Sequence, residues 1–219
     1  EGVPFYRSKE IIQKASGQKI KTEIYISDSQ YELFRQKHGA PATGDLLLTS
    51  VGTLGIPYLV KESDKKFYFK DGNLTWFSNF SSSLDSKYLF YFLKSNKGKK
   101  TLNEISIGST QAALTIEGLK NISINLPSIS KQKKIAHILG TLDEKIELNK
   151  KTNETLEEIA KALFKSWFID FEPVKAKSEG RSTGLPDEIS DLFPDSFEES
   201  ELGQIPKGWE MKTADQLCE

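Results

Sequence analysis

A stripe of apolar residues at heptad spacing runs through the second half of this chain and constrains its fold more than any other feature. From residue 135 onward, the stripe positions follow one another at alternating intervals of four and three residues. This spacing predicts an α-helix that presents an a/d seam over about four heptads, with Lys and Glu on its flanks. The seam residues are Ile135, Leu139, Leu142, Ile146, Asn149, Asn153, Leu156, Ala160, Leu163 and Trp167.

A helix of this length would span about 50 Å at a rise of about 1.5 Å per residue, which is more than a compact domain of this size can cover. The seam therefore predicts a second helix as its partner. A long helix folded over its own domain is the alternative that stays open. Asn149 and Asn153 lie in the middle of the seam, where polar residues reduce stability but fix the register and orientation of a helix pair.

The first 127 residues have a different pattern, in which short β-rich runs alternate with turn signals. The runs lie at residues 46–49, 58–60, 66–69 and 74–77. Asp71-Gly72 between the last two runs predicts a β-hairpin, and Asp85 is expected to start a helix. Closing strands are expected around Ile105, Ile107, Ile122, Ile124 and Leu126. The predicted fold class is therefore α+β: a mixed, β-containing globular domain followed by a long α-helix.

Charge is distributed unevenly along the chain, although the whole chain has a formal charge of −1. Residues 1–127 carry 17 Lys and Arg against 12 Asp and Glu, whereas residues 178–219 carry 3 against 11. A basic first part suits a polyanionic partner, and an acidic tail does not. The pattern predicts four segments: a globular domain at 1–127, a long helix at 128–173, an acidic connector at 174–204 and a strand-containing end at 205–219.

Several classes of protein are excluded by what the sequence lacks. It contains no Walker loop, no GxGxxG, no GxSxG and no Pro-Pro segment of the amino-methyltransferase type. His38 and His137 have no Cys or His partner at metal-ligand spacing, and the single cysteine, Cys218, fits a reducing cytoplasm. No apolar run approaches the length of a membrane span. No catalytic group stands out in the sequence, and we expect a cytoplasmic protein with no cofactor, no metal and no membrane association.

Polar residues in the first 127 positions are of the types that contact nucleic acid. Arg and Gln pair with base edges, and Ser, Thr and Lys bind phosphates. Each candidate also has an alternative structural role, either as a side chain that stabilises a turn or as a solvated residue at the end of a helix. The candidate DNA-binding residues are Arg7, Lys9, Ser50, Thr53, Lys99, Lys100, Ser109, Thr110 and Gln111.

The region around the predicted helix resembles the conserved region of the specificity subunits of type I restriction-modification systems. The resemblance rests on LP at 126–127, QKKIAHIL at 132–139, LDEKIELN at 142–149, NETL at 153–156, ALFKSWF at 162–168 and DF at 170–171. Further similarity lies in GVPFYR at 2–7, GDLL at 44–47, GTLG at 52–55, GSTQ at 108–111 and LGQIPKGWE at 202–210. The resemblance thus extends over almost the whole chain.

Membership of that family would imply a DNA sequence-recognition subunit. In the family, each target-recognition domain reads one half of a split double-stranded DNA sequence, and long helices hold two such domains apart. The helical region also binds the modification subunits, which carry the methyltransferase site, and restriction subunits join through these. The specificity subunit itself is not catalytic. We expect the same partners and the same lack of an active site here.

The sequence departs from the family pattern because it contains one recognition domain and one helical region instead of two of each. It therefore resembles a half subunit or a fragment. An antiparallel homodimer through the seam would supply the second set and would read a split palindrome. Residues 205–219 contain a strand that opens a recognition domain in the family, so we expect this strand to pack on the partner protomer. Two alternatives stay open: a methyltransferase or nuclease with its own cryptic active site, and a coiled-coil adaptor without DNA binding.

Overall fold

The chain divides into two compact units in the computed structural model, one at residues 1–147 and one at residues 148–219. The structure describes residues 2–18, 20, 22–70, 72–108, 112–200, 203–210 and 212–217. The boundary falls inside the long helix because the first turns of that helix pack on the first unit. The four segments predicted from the sequence stay a prediction.

The first unit combines two small β-sheets with short helices. Its strands are β1 (Val3–Tyr6), β2 (Tyr25–Ile26), β3 (Leu46–Thr49), β4 (Pro57–Leu59), β5 (Tyr68–Phe69) and β6 (Leu74–Phe77). Its short helices are α1 (Ser8–Ala15), α2 (Asp28–His38), α3 (Ser86–Lys94), α4 (Asn96–Glu104) and α5 (Ile116–Lys120). One sheet has the order β2-β1-β5, with β1 and β5 parallel; the other is antiparallel and has the order β4-β3-β6.

Strand β3 is the centre of this unit, and all four of its residues are buried. Successive side chains of a strand point to opposite faces of the sheet. Leu47 accordingly packs with Tyr58 in one apolar cluster. Leu46 and Leu48 pack in a second cluster, which also contains Leu89 of α3. The strand therefore lies between two cores and fixes where the loops at its ends emerge.

Two sequence-based predictions of strand pairing in this unit are wrong. The hairpin expected at Asp71-Gly72 does not form, because β5 pairs with β1 whereas β6 pairs with β3; Asp71 itself lies outside the described residues. The expected closing strands are also missing from the described residues 105–108 and 112–127. Ile107 makes only an isolated bridge to Ala113. Ile105, Ile122 and Ile124 pack against the second core without strand pairing.

The helix expected from Asp85 is confirmed, and a second helix follows it directly. The Asp85 carboxylate accepts a hydrogen bond from the backbone N–H of Tyr88 at 2.8 Å. The Ser95 hydroxyl then accepts one from the N–H of Gly98 at 3.1 Å and caps α4. A Cβ atom on Gly98 would overlap the backbone of Phe92, so the close approach of α3 and α4 requires glycine.

The predicted long helix is confirmed as α6 (Ile129–Phe164), a 36-residue α-helix. Together with the sheets, it confirms the mixed α+β class. The first unit buries three of its residues, Gln132, Ala136 and Gly140, which lie four positions apart on one face. The seam faces elsewhere and stays exposed from Ile135 to Leu163, as in Leu142 at 54% and Leu156 at 57%. The helix therefore does pack on its own domain, but through a face other than the seam.

Gln132 anchors the start of α6 and is fully buried. Its side-chain carbonyl accepts a hydrogen bond from the N–H of Asp85 at 3.0 Å. Its amide nitrogen donates to the carbonyl oxygens of Ser83, at 2.9 Å, and Pro127, at 2.8 Å. The Gln132 side chain thus joins the helix to the loop that precedes α3. Further along the helix, an ion pair of 3.2 Å between Asp143 and Lys94 adds a second contact.

The second unit contains the end of α6 and a set of short elements. These are a π-helical turn (Lys165–Ile169), α7 (Glu172–Ser178), α8 (Asp187–Ser190), β7 (Phe197–Ser200), β8 (Gly203–Pro206) and α9 (Ala214–Leu217). Strands β7 and β8 form an antiparallel hairpin. No helix in the part of the chain that the structure describes combines the length and the apolar character that crossing a membrane requires.

An aromatic cluster holds the second unit together. Trp209 lies with its ring centroid 5.6 Å from that of Phe171 and 6.1 Å from that of Phe168. Trp167 is half-buried, 5.8 Å from Phe193, and belongs to the π-helical turn instead of the regular α-helix. The last predicted seam position therefore contacts its own unit. Within the chain, Trp209 contacts Phe168 and Phe171. That residues 205–219 pack on a partner protomer stays a prediction.

We predict that Gln132→Ala destabilises the chain, because the substitution leaves the Asp85 N–H and two carbonyl oxygens without their partner. The expected loss in the free energy of unfolding is about 1–3 kcal/mol, measured by urea denaturation. Lys133→Ala is the matched control, since Lys133 is exposed on the same turn of the helix. Equal stability of the two variants would contradict the anchoring role of Gln132.

Candidate nucleic-acid interface

The backbone carbonyl of Asn73 joins two of the segments that the sequence singles out. It accepts a hydrogen bond from the Ser8 hydroxyl at 3.3 Å and one from the N–H of Ser50 at 2.9 Å. Ser8 is the first residue of α1 and stands between Arg7 and Lys9. The start of α1 and the end of β3 therefore lie side by side, which the sequence alone does not reveal.

The turn that follows β3 is built on Thr49. The backbone carbonyl of Thr49 accepts a hydrogen bond from the N–H of Gly55 at 2.8 Å, and its hydroxyl accepts one from Ile56 at 2.9 Å. Gly52 and Gly55 both have positive φ, of 78° and 73°, a region that side-chain-bearing residues rarely adopt. Thr53 lies between them and is exposed. The glycines thus shape a tight turn that presents Thr53 to the surroundings.

Ile107 and Ala113 lie beside the same turn. They pair with each other, and Ala113 also pairs with Val51. The N–H of Leu114 donates to the carbonyl of Ser50 at 2.9 Å. Three further candidates, Ser109, Thr110 and Gln111, lie outside the described residues.

Helix α4 adjoins the turn through Leu102. A Cβ atom on Gly55 would lie 3.0 Å from the Cδ1 atom of Leu102, so the turn and the helix are in close contact. Lys99 and Lys100 are exposed on this helix. Lys100 lies 3.9 Å from Glu104, an exposed pair that solvent screens. Both lysines are therefore available to a polyanion.

Ser50 occupies a different position from the other candidates because it is buried. Its hydroxyl donates to the carbonyl of Leu48 at 3.2 Å and shares a hydrogen bond of 2.6 Å with the hydroxyl of Thr75. The contact with Thr75 joins the end of β3 to β6, whereas the contact with Leu48 lies within the β3 segment itself. Since the hydroxyl points into the fold, we do not include Ser50 in the proposed surface.

Arg7 is held by a buried carboxylate that the sequence analysis missed. Glu10 has a side chain that is only 1% exposed, and it accepts hydrogen bonds from Arg7 Nη2 at 2.8 Å and from the Arg7 backbone N–H at 2.9 Å. Burial of Glu10 opposes its ionisation, but the hydrogen bonds from Arg7 outweigh this effect and lower the pKa of Glu10. Glu10 thus supplies the carboxylate half of a capping box, but Arg7 at the N-cap has no side-chain acceptor for the other half, so the sequence lacks the usual signature.

The remaining N–H groups determine what Arg7 can still bind. A guanidinium has five N–H donors, of which the Glu10 carboxylate engages those of Nε, at 3.3 Å, and Nη2. The Arg7 side chain is 42% exposed. Arg7 is thus oriented by Glu10, and Lys9, two residues further along the chain, is exposed.

A second buried charge pair stabilises the opposite end of α1. Lys14 lies 2.6 Å from Asp64, and both side chains are largely buried. The Tyr58 hydroxyl donates to the same carboxylate at 2.6 Å, and burial together with this bond raises the pKa of Tyr58. We assign this network a structural role, because it ties α1 to the segment that follows β4.

Among the described residues, no cluster of three or more His, Cys, Asp and Glu side chains could hold a metal ion.

We predict that the Arg7–Glu10 contact makes stability depend on pH. The pKa of Glu10 is lower in the folded chain than the value of about 4.3 expected when unfolded. The contact therefore stabilises the fold above that value, and this contribution is lost as the pH falls through the folded pKa. Glu10→Gln should lower the melting temperature at pH 7, and the difference from the wild type should shrink below about pH 4.

The control for this prediction is Glu32→Gln. Glu32 pairs with Arg35 at the same spacing, but both side chains are about half exposed, so its removal should change the melting temperature little. A melting-temperature difference for Glu10→Gln that is independent of pH would show that the charge of Glu10 does not act as described.

Comparisons with known proteins identify relatives of the chain. Residues 1–158 match the family described as "Type I restriction modification DNA specificity domain". The chain is 35% identical over 151 residues to the HindI type I restriction enzyme specificity subunit of Haemophilus influenzae, an alignment that covers 68% of this chain and 33% of that subunit. It is 32% identical over 209 residues to the MjaIX specificity subunit of Methanocaldococcus jannaschii, covering 93% of this chain and 40% of the relative.

A solved structure shares the fold. The crystal structure of the S subunit of a type I restriction-modification system from M. genitalium aligns with 97% of this chain and 56% of its own, with a TM-score of 0.54 and 17% sequence identity. The likeness extends to the long helix that follows a small sheet-containing domain. The chain therefore spans 33% and 40% of the length of the two curated relatives and somewhat more than half of this structure.

Proposed function

Because the chain belongs to the family of type I restriction-modification DNA specificity domains, we propose that it recognises one half of a bipartite DNA target and scaffolds the modification subunits. The observation that carries this proposal is the family match, which includes the whole of the first unit and most of α6. Restriction subunits would join through the modification subunits. The proposed role is non-catalytic, needs no cofactor of its own and is exercised in the cytoplasm.

We propose that DNA binds where α1, the turn after β3, the residues Ile107 and Ala113 and helix α4 adjoin one another. Loops carried on a rigid scaffold are common binding elements, and here β3 supplies the scaffold. Arg7 and Gln111 are proposed to contact bases. The residues proposed to contact phosphates are Lys9, Thr53, Lys99, Lys100, Ser109 and Thr110.

The first unit also has the charge for this role. Residues 1–127 carry an excess of five positive charges, which favours association with a phosphate backbone. A coiled-coil adaptor without DNA binding would use only the helix, whereas the family match extends over the first unit as well. Methyl transfer or DNA cleavage by the isolated chain would favour the alternative of a cryptic enzyme.

We further propose that two copies pair through the seam of α6. The seam is exposed within both units, and large aliphatic side chains such as Ile146, at 53%, have no cover of their own. Two identical recognition domains related by a twofold axis would read a split palindrome.

We predict that the phosphate and base contacts have different effects on DNA binding. Lys99→Ala with Lys100→Ala should weaken binding to all duplexes alike and reduce the salt slope by about one for each lysine. Gln111→Ala should relax specificity at one base position and cost about 1–3 kcal/mol there. Fluorescence anisotropy over a salt series measures the affinity and the salt slope of each variant. Base specificity is measured by incubating each variant with a randomised duplex pool and sequencing the bound fraction.

The matched control removes two lysines from the second unit, as Lys175→Ala with Lys207→Ala. Both residues are exposed, and the change in net charge is the same. If the control and the Lys99/Lys100 variant lose the same affinity, the effect is one of net charge and the surface is misassigned.

We predict that Ile146→Asp abolishes the dimer, because it places a charge within the seam. Leu148→Asp is the matched control, since Leu148 is also apolar and exposed on α6 but lies off the seam. Light scattering at micromolar concentration should give a dimer for the wild type and for the control, and a monomer for Ile146→Asp. A monomeric wild type would contradict the proposed pairing.

A further inference from the structure

The ion pair between Arg7 and Glu10 differs from the pair between Lys14 and Asp64 in the exposure of its two partners. The side chains of Lys14 and Asp64 are both largely buried, at 13% and 9% exposed. In the other pair, the Glu10 side chain is 1% exposed, whereas the Arg7 side chain is 42% exposed. The carboxylate of Glu10 therefore lies inside the fold, and the cation that it holds remains accessible to a ligand.

The hydrogen bonds to Glu10 engage one edge of the Arg7 guanidinium. Oε2 accepts a hydrogen bond from Nε at 3.3 Å, and Oε1 accepts one from Nη2 at 2.8 Å, so the carboxylate covers the edge formed by these two nitrogens. Among the described residues, no other side chain pairs with this guanidinium. Since a guanidinium carries five N–H groups in a rigid planar fork, the edge formed by Nη1 and Nη2 keeps two parallel donors for a ligand.

The backbone on both sides of Arg7 is fixed by the core. Tyr6 precedes it in β1 and Ile11 follows it in α1, and both side chains lie in the same apolar cluster. The carbonyl of Tyr6 accepts a hydrogen bond from the N–H of Lys70 at 2.8 Å, and the carbonyl of Arg7 accepts one from the N–H of Ile11 at 3.2 Å. The Arg7 side chain is thus held at both ends, at the backbone by these contacts and at the guanidinium by Glu10.

We propose that Glu10 is a positioning residue for base recognition, which fixes the Arg7 guanidinium so that its free edge pairs with the O6 and N7 atoms of a guanine in the major groove. This inference rests on the DNA recognition proposed above. Guanine presents two acceptors side by side on its major-groove edge, and two parallel N–H donors match them. An arginine that is already restrained loses less side-chain entropy on binding than a mobile one.

A phosphate is another ligand that this edge of the guanidinium would fit, since arginine also binds phosphate oxygens in pairs. Lysine binds phosphates as a point charge, however, so their recognition does not require a guanidinium that is fixed at one edge. A base offers its acceptors at one place and in one plane. The restraint that Glu10 imposes on Arg7 therefore favours a base over a phosphate.

A randomised pool of DNA duplexes, sequenced before and after binding to the full chain, tests the proposal. The wild type should select guanine at one position, and Arg7→Ala should reduce this discrimination about 5- to 150-fold. Glu10→Gln should keep guanine preferred but weaken the discrimination about 2- to 12-fold, because the Arg7 side chain must then be ordered on binding. Replacing that guanine by 7-deazaguanine, which lacks the N7 atom, should weaken binding by the wild type but not by Arg7→Ala.

Combining the two substitutions separates positioning of Arg7 from a purely structural role of Glu10. If Glu10 acts through Arg7, Glu10→Gln should not change base preference further in an Arg7→Ala background, whatever its effect on stability. Glu10→Asp keeps the charge but shortens the side chain, so it should weaken the preference as well and replaces Glu10→Gln if that variant does not fold. Glu32→Gln is the matched control and should leave the preference unchanged, because Glu32 pairs with Arg35 at the same spacing.

The proposal is overturned if the Glu10 variants leave guanine discrimination unchanged, or if they weaken it equally with and without Arg7. An equal loss of affinity for all sequences in Arg7→Ala would identify a phosphate contact and overturn the proposal as well. If the wild type and Arg7→Ala select the same sequence, this inference fails but DNA recognition by the chain stands. A wild type that selects no sequence overturns both.

Discussion

The contact between the first turns of α6 and the first unit decides what the rest of the helix can do. An amide, an alanine and a glycine make this contact, namely Gln132, Ala136 and Gly140. Small side chains allow close approach, and the three hydrogen bonds of Gln132 fix its position. Because the chain docks its helix through this face, the aliphatic seam stays exposed. An exposed seam at heptad spacing is what a helical partner requires.

The first unit depends in a similar way on β3. Its side chains fill two apolar clusters, so the strand cannot shift without disrupting both. The segments that carry the proposed DNA contacts are fastened to the end of this strand through Asn73, Ser50 and Ala113. Rigid support of this kind positions binding loops, since the geometry of a site is only as well defined as the elements that carry it. The proposed recognition surface and the proposed dimer seam thus consist of different residues.

The parts of the fold that depend on local pattern could be predicted from the sequence. Heptad spacing located α6, and alternating apolar runs located β3 and β6. Strand pairing could not be predicted, because β5 finds its partner in β1, far away in sequence, instead of the neighbouring β6. The docking face of α6 was also missed, since Gln132 and Gly140 give no hydrophobic signal. For the candidate site, residue types suggested Arg7 and Thr53, but only the structure shows that Ser50 points inward and that Glu10 holds Arg7.

Methylation mapping in cells can show whether this chain reads DNA as one of two identical halves, as proposed. The methylated bases are mapped in the genome of cells that carry this chain with the proposed modification subunits and no other specificity subunit. We expect every methylated site to contain the same half-sequence twice, as an inverted repeat around an unread spacer. Two different half-sequences, or a single continuous sequence, would contradict it.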